Sequence, residues 1–229
     1  MAAPPPPIDA REAVSSPALP ALVAGSPAIE TVEVRWWHDR PLPSELHEVC
    51  VEAAGPAGDI EHRVDTYLRH CGDDLSVKIR GADTLDVKQR CGPVTVSVLV
   101  AGVQGRVEQW RKWTFRSVAG GEAAGDADAP APSHETDESR HWLAVEKTRC
   151  LVGEGSATVE LTEVRITDRP HWTLALEGPV DIGLVGLRDA AAALQLGRFP
   201  RWFGIETSTS YATFVEPPSP AGLGPAASG

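Results

Sequence analysis

Cysteine is scarce in this chain, and its few thiols do not pair by spacing. Cys50, Cys71, Cys91 and Cys150 form no CxxC motif and have no histidine at zinc-ligand spacing beside them. That argues against a structural zinc site and points to reduced, partly buried thiols in a cytoplasmic protein. Positive charge is also in deficit: 21 Lys and Arg stand against 32 Asp and Glu, a formal net charge of −11. So acidic a molecule is not drawn nonspecifically to nucleic acid. Long apolar runs are missing, so no segment is expected to span a bilayer. The opening MAAPPPPIDAREAV lacks the basic-then-apolar order of a signal peptide. The expectation is a cytoplasmic chain with neither nucleic acid nor membrane as a partner.

What is present suits a folded core. Hydrophobic residues make up 42% of 229 positions, and that length fits one all-β barrel or two small domains. The cations are unevenly spread. Between residues 75 and 116 there are eight Lys or Arg (Lys78, Arg80, Lys88, Arg90, Arg106, Arg111, Lys112, Arg116) and three acids (Asp83, Asp86, Glu108). A basic block inside an acidic protein suggests a local site for a small polyanion.

The block opens on a hairpin. Residues 75–80 (LSVKIR) and 85–90 (LDVKQR) alternate apolar and polar around the break Gly81-Ala82-Asp83-Thr84. A strand repeats every two residues, so Lys78, Arg80, Lys88 and Arg90 share one face, and Leu75, Val77, Ile79, Leu85 and Val87 the other. Four cations on adjacent strands repel one another. A sheet that gathers them is expected to hold an anion there.

Residues 1–28, rich in Pro and Ala, read as disordered. Residues 119–140 read as a flexible acidic insertion and 216–229 as a disordered tail, which leaves 29–215 as one domain. Further strands are predicted at 29–37, 93–100, 106–116, 142–152, 157–166, 172–177 and 202–215. Residues 41–54 are ambiguous, with Ser44 able to cap a short helix. One helix is predicted at 181–197, with Asp181 as its N-cap and Gly197 as its stop. About eight amphipathic strands predict a mainly β (α+β) fold, an antiparallel closed barrel or tunnel with a few helices. Charge recurs on the polar faces at Glu33 and Arg35, Lys78 and Arg80, Lys88 and Arg90, Lys112, then Lys147 and Arg149. A barrel with a charged interior has this pattern, and so does a sheet whose charged faces meet water in cross-strand ion pairs.

The order of these features resembles the CYTH superfamily, the triphosphate tunnel metalloenzymes. The family's opening Glu-x-Glu-x-Lys strand is similar to Thr31-Val32-Glu33-Val34-Arg35, with Thr31 in place of the first Glu. Its Asp-Thr-Tyr-like segment and Arg-x-Arg strand look like Asp65-Thr66-Tyr67 and Lys78-Ile79-Arg80. Lys88 matches the next anion-binding Lys, and Lys147-Thr148-Arg149 a later Lys-x-Arg strand. Two acidic strands look like Leu161-Thr162-Glu163-Val164 and Ala175-Leu176-Glu177, with Ala175 where the family has Glu; Ser210-Tyr211 is similar to a Ser-Tyr near its C-terminus.

This resemblance, over residues 29–215, implies a triphosphate-binding barrel acting as a divalent-metal-dependent phosphohydrolase of inorganic or organic triphosphates. It implies Glu33 and Arg35 in catalysis, and Glu33, Glu163 and Glu177 as ligands of Mg²⁺ or Mn²⁺. It places Lys78, Arg80, Lys88, Arg90, Lys112, Lys147 and Arg149 on the phosphates. Thr31 and Ala175 remove two carboxylates from that metal site. A non-catalytic polyphosphate- or nucleotide-binding module therefore stands beside the hydrolase, as does an interaction protein built on the barrel.

Overall fold

Period-two alternation governs most of the chain. In the computed structural model it yields β1 (Leu22–Ala24), β2 (Ile29–His38), β3 (Ile60–Leu68), β4 (Leu75–Arg80), β5 (Thr84–Arg90), β6 (Thr95–Val100), β7 (Val103–Ser117), β8 (Trp142–Val152), β9 (Thr158–Ile166) and β10 (Arg169–Pro179). The helices are α1 (Ser44–Ala54), α2 (Gly183–Ala193) and α3 (Tyr211–Val215), with short 3₁₀ turns before and after α2. The structure describes residues 22–24, 27–55, 60–81, 83–117, 141–152 and 157–215. The expected acidic insertion, the C-terminal tail and most of the N-terminal segment lie outside them. Leu22–Ala24, within that N-terminal segment, pairs with β7.

Eight strands close an antiparallel barrel in the order β7-β2-β10-β9-β8-β3-β4-β5, and β5 pairs back onto β7. The closing strand is the longest at 15 residues. Its residues 107–112 pair with β2 and its residues 110–116 with β5. β1 and β6 add to β7 outside the ring.

The main hydrophobic core lies on the outside of this barrel. Val34 and Trp36 of β2, Leu174 and Leu176 of β10, Leu161 of β9 and Val152 of β8 turn outward. They are buried under Leu46 and Cys50 of α1, Leu187 and Ala191 of α2, and Leu196 and Phe203 of the later turns. The same strands are thereby forced to send their charged residues inward. An eight-stranded barrel leaves an interior that side chains can fill or that one small ligand can share.

Three expectations change. Residues 202–215 form 3₁₀ turns and α3 rather than a strand, and only Ser208 bridges to Trp36. The aromatic residues of that segment dock on opposite sides of β2: Phe203 lies edge-on to Trp36 at 5.1 Å, and Phe214 stacks on Trp37 at 3.7 Å. The helix expected at 181–197 is shorter. Asp181 sits in a 3₁₀ turn, and Gln195, at φ 53°, takes the left-handed position expected of Gly197. β3 is a wall strand that the periodicity reading did not count.

β7 approaches β2 closely where Gly105 lies. A Cβ there would collide with Val34 Cγ2 and come within 3.0 Å of Trp36 Cζ2 and 3.2 Å of Ser208 Oγ. These atoms are fixed: Trp36 Nε1 donates to Gln104 O at 2.8 Å, and Ser208 Oγ accepts from Arg106 N–H at 2.8 Å. Gly105→Ala should cost about 1–3 kcal/mol of overpacking. Thermal unfolding should show a Tm lower by roughly 3–10 °C, and an unchanged Tm would mean that β7 can back away from the Trp36 ring.

Candidate anion-binding tunnel

Inward positions of successive strands meet in one cavity. β2 supplies Glu33 and Arg35, β3 Arg63, β4 Lys78 and Arg80, and β5 Asp86 and Lys88. β7 adds Lys112, β8 Lys147 and Arg149, β9 Glu160 and β10 Glu177. The cavity has a volume of about 120 Å³, room for about four waters at their share of liquid volume. Trp37, Tyr67, Val145, Val164 and Val215 pack with Tyr211 and Phe214 to fill the barrel at one end. Tyr67 and Tyr211 stack there at 5.2 Å. The Lys147 ammonium lies 4.0 Å from the Tyr211 ring centre, and the Arg35 guanidinium 4.7 Å. Cations over aromatic faces are favoured most where water is scarce.

The charges form one chain of alternating sign around the wall. Glu177 accepts from Lys88 at 2.8 Å, and Lys88 also donates to Glu33 at 2.9 Å. Glu33 accepts from Arg35 at 2.7 Å, and Arg35 reaches Glu160 at 3.1 Å. Glu160 meets Arg149 at 3.1 Å, and Arg149 pairs with Glu61. Glu61 accepts from Arg63 at 2.9 Å, and Arg63 lies 3.2 Å from Asp65. Asp65 accepts from Lys147 at 2.8 Å and Lys78 at 3.3 Å. Asp86 then takes Arg80 at 2.6 Å and Lys112 at 3.4 Å. Eight cations (Arg35, Arg63, Lys78, Arg80, Lys88, Lys112, Lys147, Arg149) face six acids (Glu33, Glu61, Asp65, Asp86, Glu160, Glu177), so the chain carries an excess of two positive charges.

Protonation follows from this packing. Burial pushes the Glu33 carboxyl up, but Lys88 and Arg35 outweigh it and bring it down from 4.5 to about 2. Asp65 is opposed by burial in the same way and is held far below its ordinary value by Lys78, Lys147 and Arg63. Burial, with Arg80 and Arg63 adding repulsion, lowers Lys78 from 10.5 to about 8 against the pull of Asp65 and Asp86. Burial and the neighbouring Lys78 charge also push Lys147 down. Charge pairing thus outweighs desolvation at Glu33 and Asp65, whereas desolvation outweighs it at Lys78 and Lys147.

Of the residues singled out from the sequence, Glu33, Arg35, Lys78, Arg80, Lys88, Lys112, Lys147, Arg149 and Glu177 all reach this cavity. Arg90 does not line it; it pairs with Asp73 at 3.0 Å and Glu108 at 3.3 Å. Glu163 is turned away. It is exposed on the outer side of β9, beside His62 and Arg165, whereas Glu160 and Thr162 face in. A strand flips face with every residue, so the acid that β9 offers the tunnel is Glu160. Arg63, Asp65 and Tyr67 were also missed as site residues. Their signal was present in β3, where positions 61, 63, 65 and 67 share one face.

The inward acids do not suit the Mg²⁺ or Mn²⁺ that the resemblance implies. A hard divalent cation needs free carboxylate oxygens. Both Glu33 oxygens are engaged by Arg35 and Lys88, Glu177 by Lys88, and both Glu160 oxygens by Arg35 and Arg149. Among the described residues, no group of three or more His, Cys, Asp or Glu is placed to hold a metal ion. Among the same residues, no helix is long and apolar enough to cross a membrane.

No protein-family model matches this chain, and comparison with curated protein sequences finds no match. Among solved structures the chain is similar to a conserved hypothetical protein from Pyrococcus furiosus, at 12% identity over 81% of this chain and 99% of that one, with a TM-score of 0.46. It is similar to a protein from Pyrococcus horikoshii at 13% identity, covering 82% and 99%, with a TM-score of 0.45. It is also similar to an RNA triphosphatase from S. pombe at 12% identity, covering 77% and 81%, with a TM-score of 0.32.

Proposed function

We propose that the barrel interior binds a small polyanion of the triphosphate class. The observation that supports this most is the convergence of eight Lys and Arg side chains from six strands on one cavity, with two more positive than negative charges in their network. Arg forks and Lys ammonium groups are the usual donors to phosphate oxygens. The CYTH resemblance belongs to the same reading, since Glu33, Arg35, Lys78, Arg80, Lys88, Lys147, Arg149 and Glu177 are matched residues of it that line the wall. Thr31 and Ala175 mark where its metal acids are gone, so the reading is of a binding site rather than a hydrolase. On this reading residues 29–215 form one CYTH-like domain, and its four free thiols suit a reducing, cytoplasmic setting.

Tripolyphosphate at about a hundred times its Kd should stabilise the fold by about 2.7 kcal/mol, a rise in Tm of roughly 5–11 °C. The rise should shrink with added salt. A flat response to tripolyphosphate, diphosphate and nucleoside triphosphates at low salt would refute the proposal. Phosphate released from tripolyphosphate by the purified protein with Mn²⁺ would instead restore the hydrolase.

A further inference from the structure

We propose that the Lys88 ammonium is the tunnel's own resident cation, standing between Glu33 and Glu177 in place of a divalent metal, so that the site takes its anion without one. Only the identity of the anion rests on the reading above; the occupancy of the carboxylates stands on geometry alone.

Glu33 and Glu177 are direct partners in the β2–β10 ladder. Like charges opposite one another across strands are destabilising unless a cation lies between them. The cation comes from β5, which reaches both acids through the barrel interior: Lys88 Nζ donates to Glu33 Oε2 at 2.9 Å and Glu177 Oε1 at 2.8 Å. Arg35 Nε takes the remaining Glu33 oxygen at 2.7 Å. A metal entering here would have to expel a covalently tethered ammonium whose effective concentration never falls.

The chemical consequences differ from those of a metal. An ammonium has one charge, three donors and no vacant coordination position. It can neutralise two carboxylates and offer a donor to a phosphate oxygen. It cannot polarise a phosphoryl group as a Lewis acid or acidify a bound water. Lys88 therefore keeps the tunnel permissive for an anion and leaves the reaction unassisted.

Mn²⁺ titration of the full chain, followed by calorimetry and by electron paramagnetic resonance, tests this. The wild type should not bind Mn²⁺ in the low millimolar range. Lys88→Met and Lys88→Ala should both gain one site with Kd on the order of 10⁻⁴–10⁻³ M, and Glu177→Gln in the Lys88→Met background should remove it. Wild-type Mn²⁺ binding of the same strength, or folded Lys88 variants that gain none, would overturn the proposal. If neither variant folds, Lys88→Gln, which keeps a neutral donor near both acids, replaces them in the same titration with the same two outcomes. In parallel, wild-type binding of tripolyphosphate should need no metal and should persist in EDTA. Lys88→Met should lose about tenfold in EDTA and recover with Mn²⁺. Wild-type binding that requires Mn²⁺ counts against Lys88, whereas wild-type failure to bind tripolyphosphate under any condition removes the polyanion reading and leaves the Mn²⁺ titrations to judge Lys88.

Discussion

Arg35→Met should lower the free energy of unfolding by about 3–5 kcal/mol and Tm by roughly 10 °C. Arg35 is 5% exposed and anchors two acids, the buried Glu33 at 2.7 Å and the half-buried Glu160 at 3.1 Å. Methionine fills much of the same volume against Tyr211 but leaves those carboxylates short of positive charge. The loss measures the stranding of two acids rather than the net worth of the pair, because solvating all three groups in the unfolded chain is also favourable. The double variant Arg35→Met/Glu160→Gln removes one stranded charge and should recover a sizeable part of the loss. Urea unfolding of the three proteins provides the comparison. A single-variant loss below about 1 kcal/mol would place Arg35 in the energy class of solvated surface pairs and would contradict a desolvated wall.

Asp65→Asn should cost a similar amount, about 3–5 kcal/mol at neutral pH, for the opposite reason. Asp65 is fully buried and is the shared counter-ion of Lys78, Lys147 and Arg63. Its removal leaves three cations facing one another. The pH dependence distinguishes this from a simple packing defect. Asp65, Glu33 and Glu160 all have folded values depressed below their unfolded ones. Such groups contribute stability above their unfolded values, near 3.8 for Asp and 4.5 for Glu, and lose it as pH falls toward the folded value. For Glu33 that window runs from 4.5 down to about 2. Wild-type stability should therefore fall steeply below about pH 4.5. Asp65→Asn lacks one of the titrating carboxylates, so its acid limb should be flatter and the two curves should converge toward low pH. Parallel curves from pH 7 to pH 2 would rule out charge pairing as the role of Asp65.

The alternation of single strands determined much of this protein. Glu33-Val34-Arg35 and Lys78-Ile79-Arg80 must put their charges on one face and their apolar residues on the other, because successive side chains leave a strand in opposite directions. The count of such strands pointed to a closed antiparallel sheet, and the structure is one. The same local rule was silent on phase where no apolar marker stood out. In β9 the run Glu160-Leu161-Thr162-Glu163 offers an acid to either face, and it is the outward burial of Val159 and Leu161 under the helical layer that selects Glu160.

Which face became the inside was decided by tertiary structure alone. A charged face turned to water and a charged face turned into a tunnel have the same sequence pattern. The outcome was settled by the β5–β7 closure and by α1 and α2 covering the apolar outer side of β8, β9, β10 and β2. Closure also brought Lys88 across the barrel to Glu33, 55 positions away in sequence, and to Glu177, 89 positions away. Spacing along the chain carries no information about such pairs. They depend on the radius of the closed sheet and on the low dielectric it encloses, which draws each interior charge to the nearest partner of opposite sign.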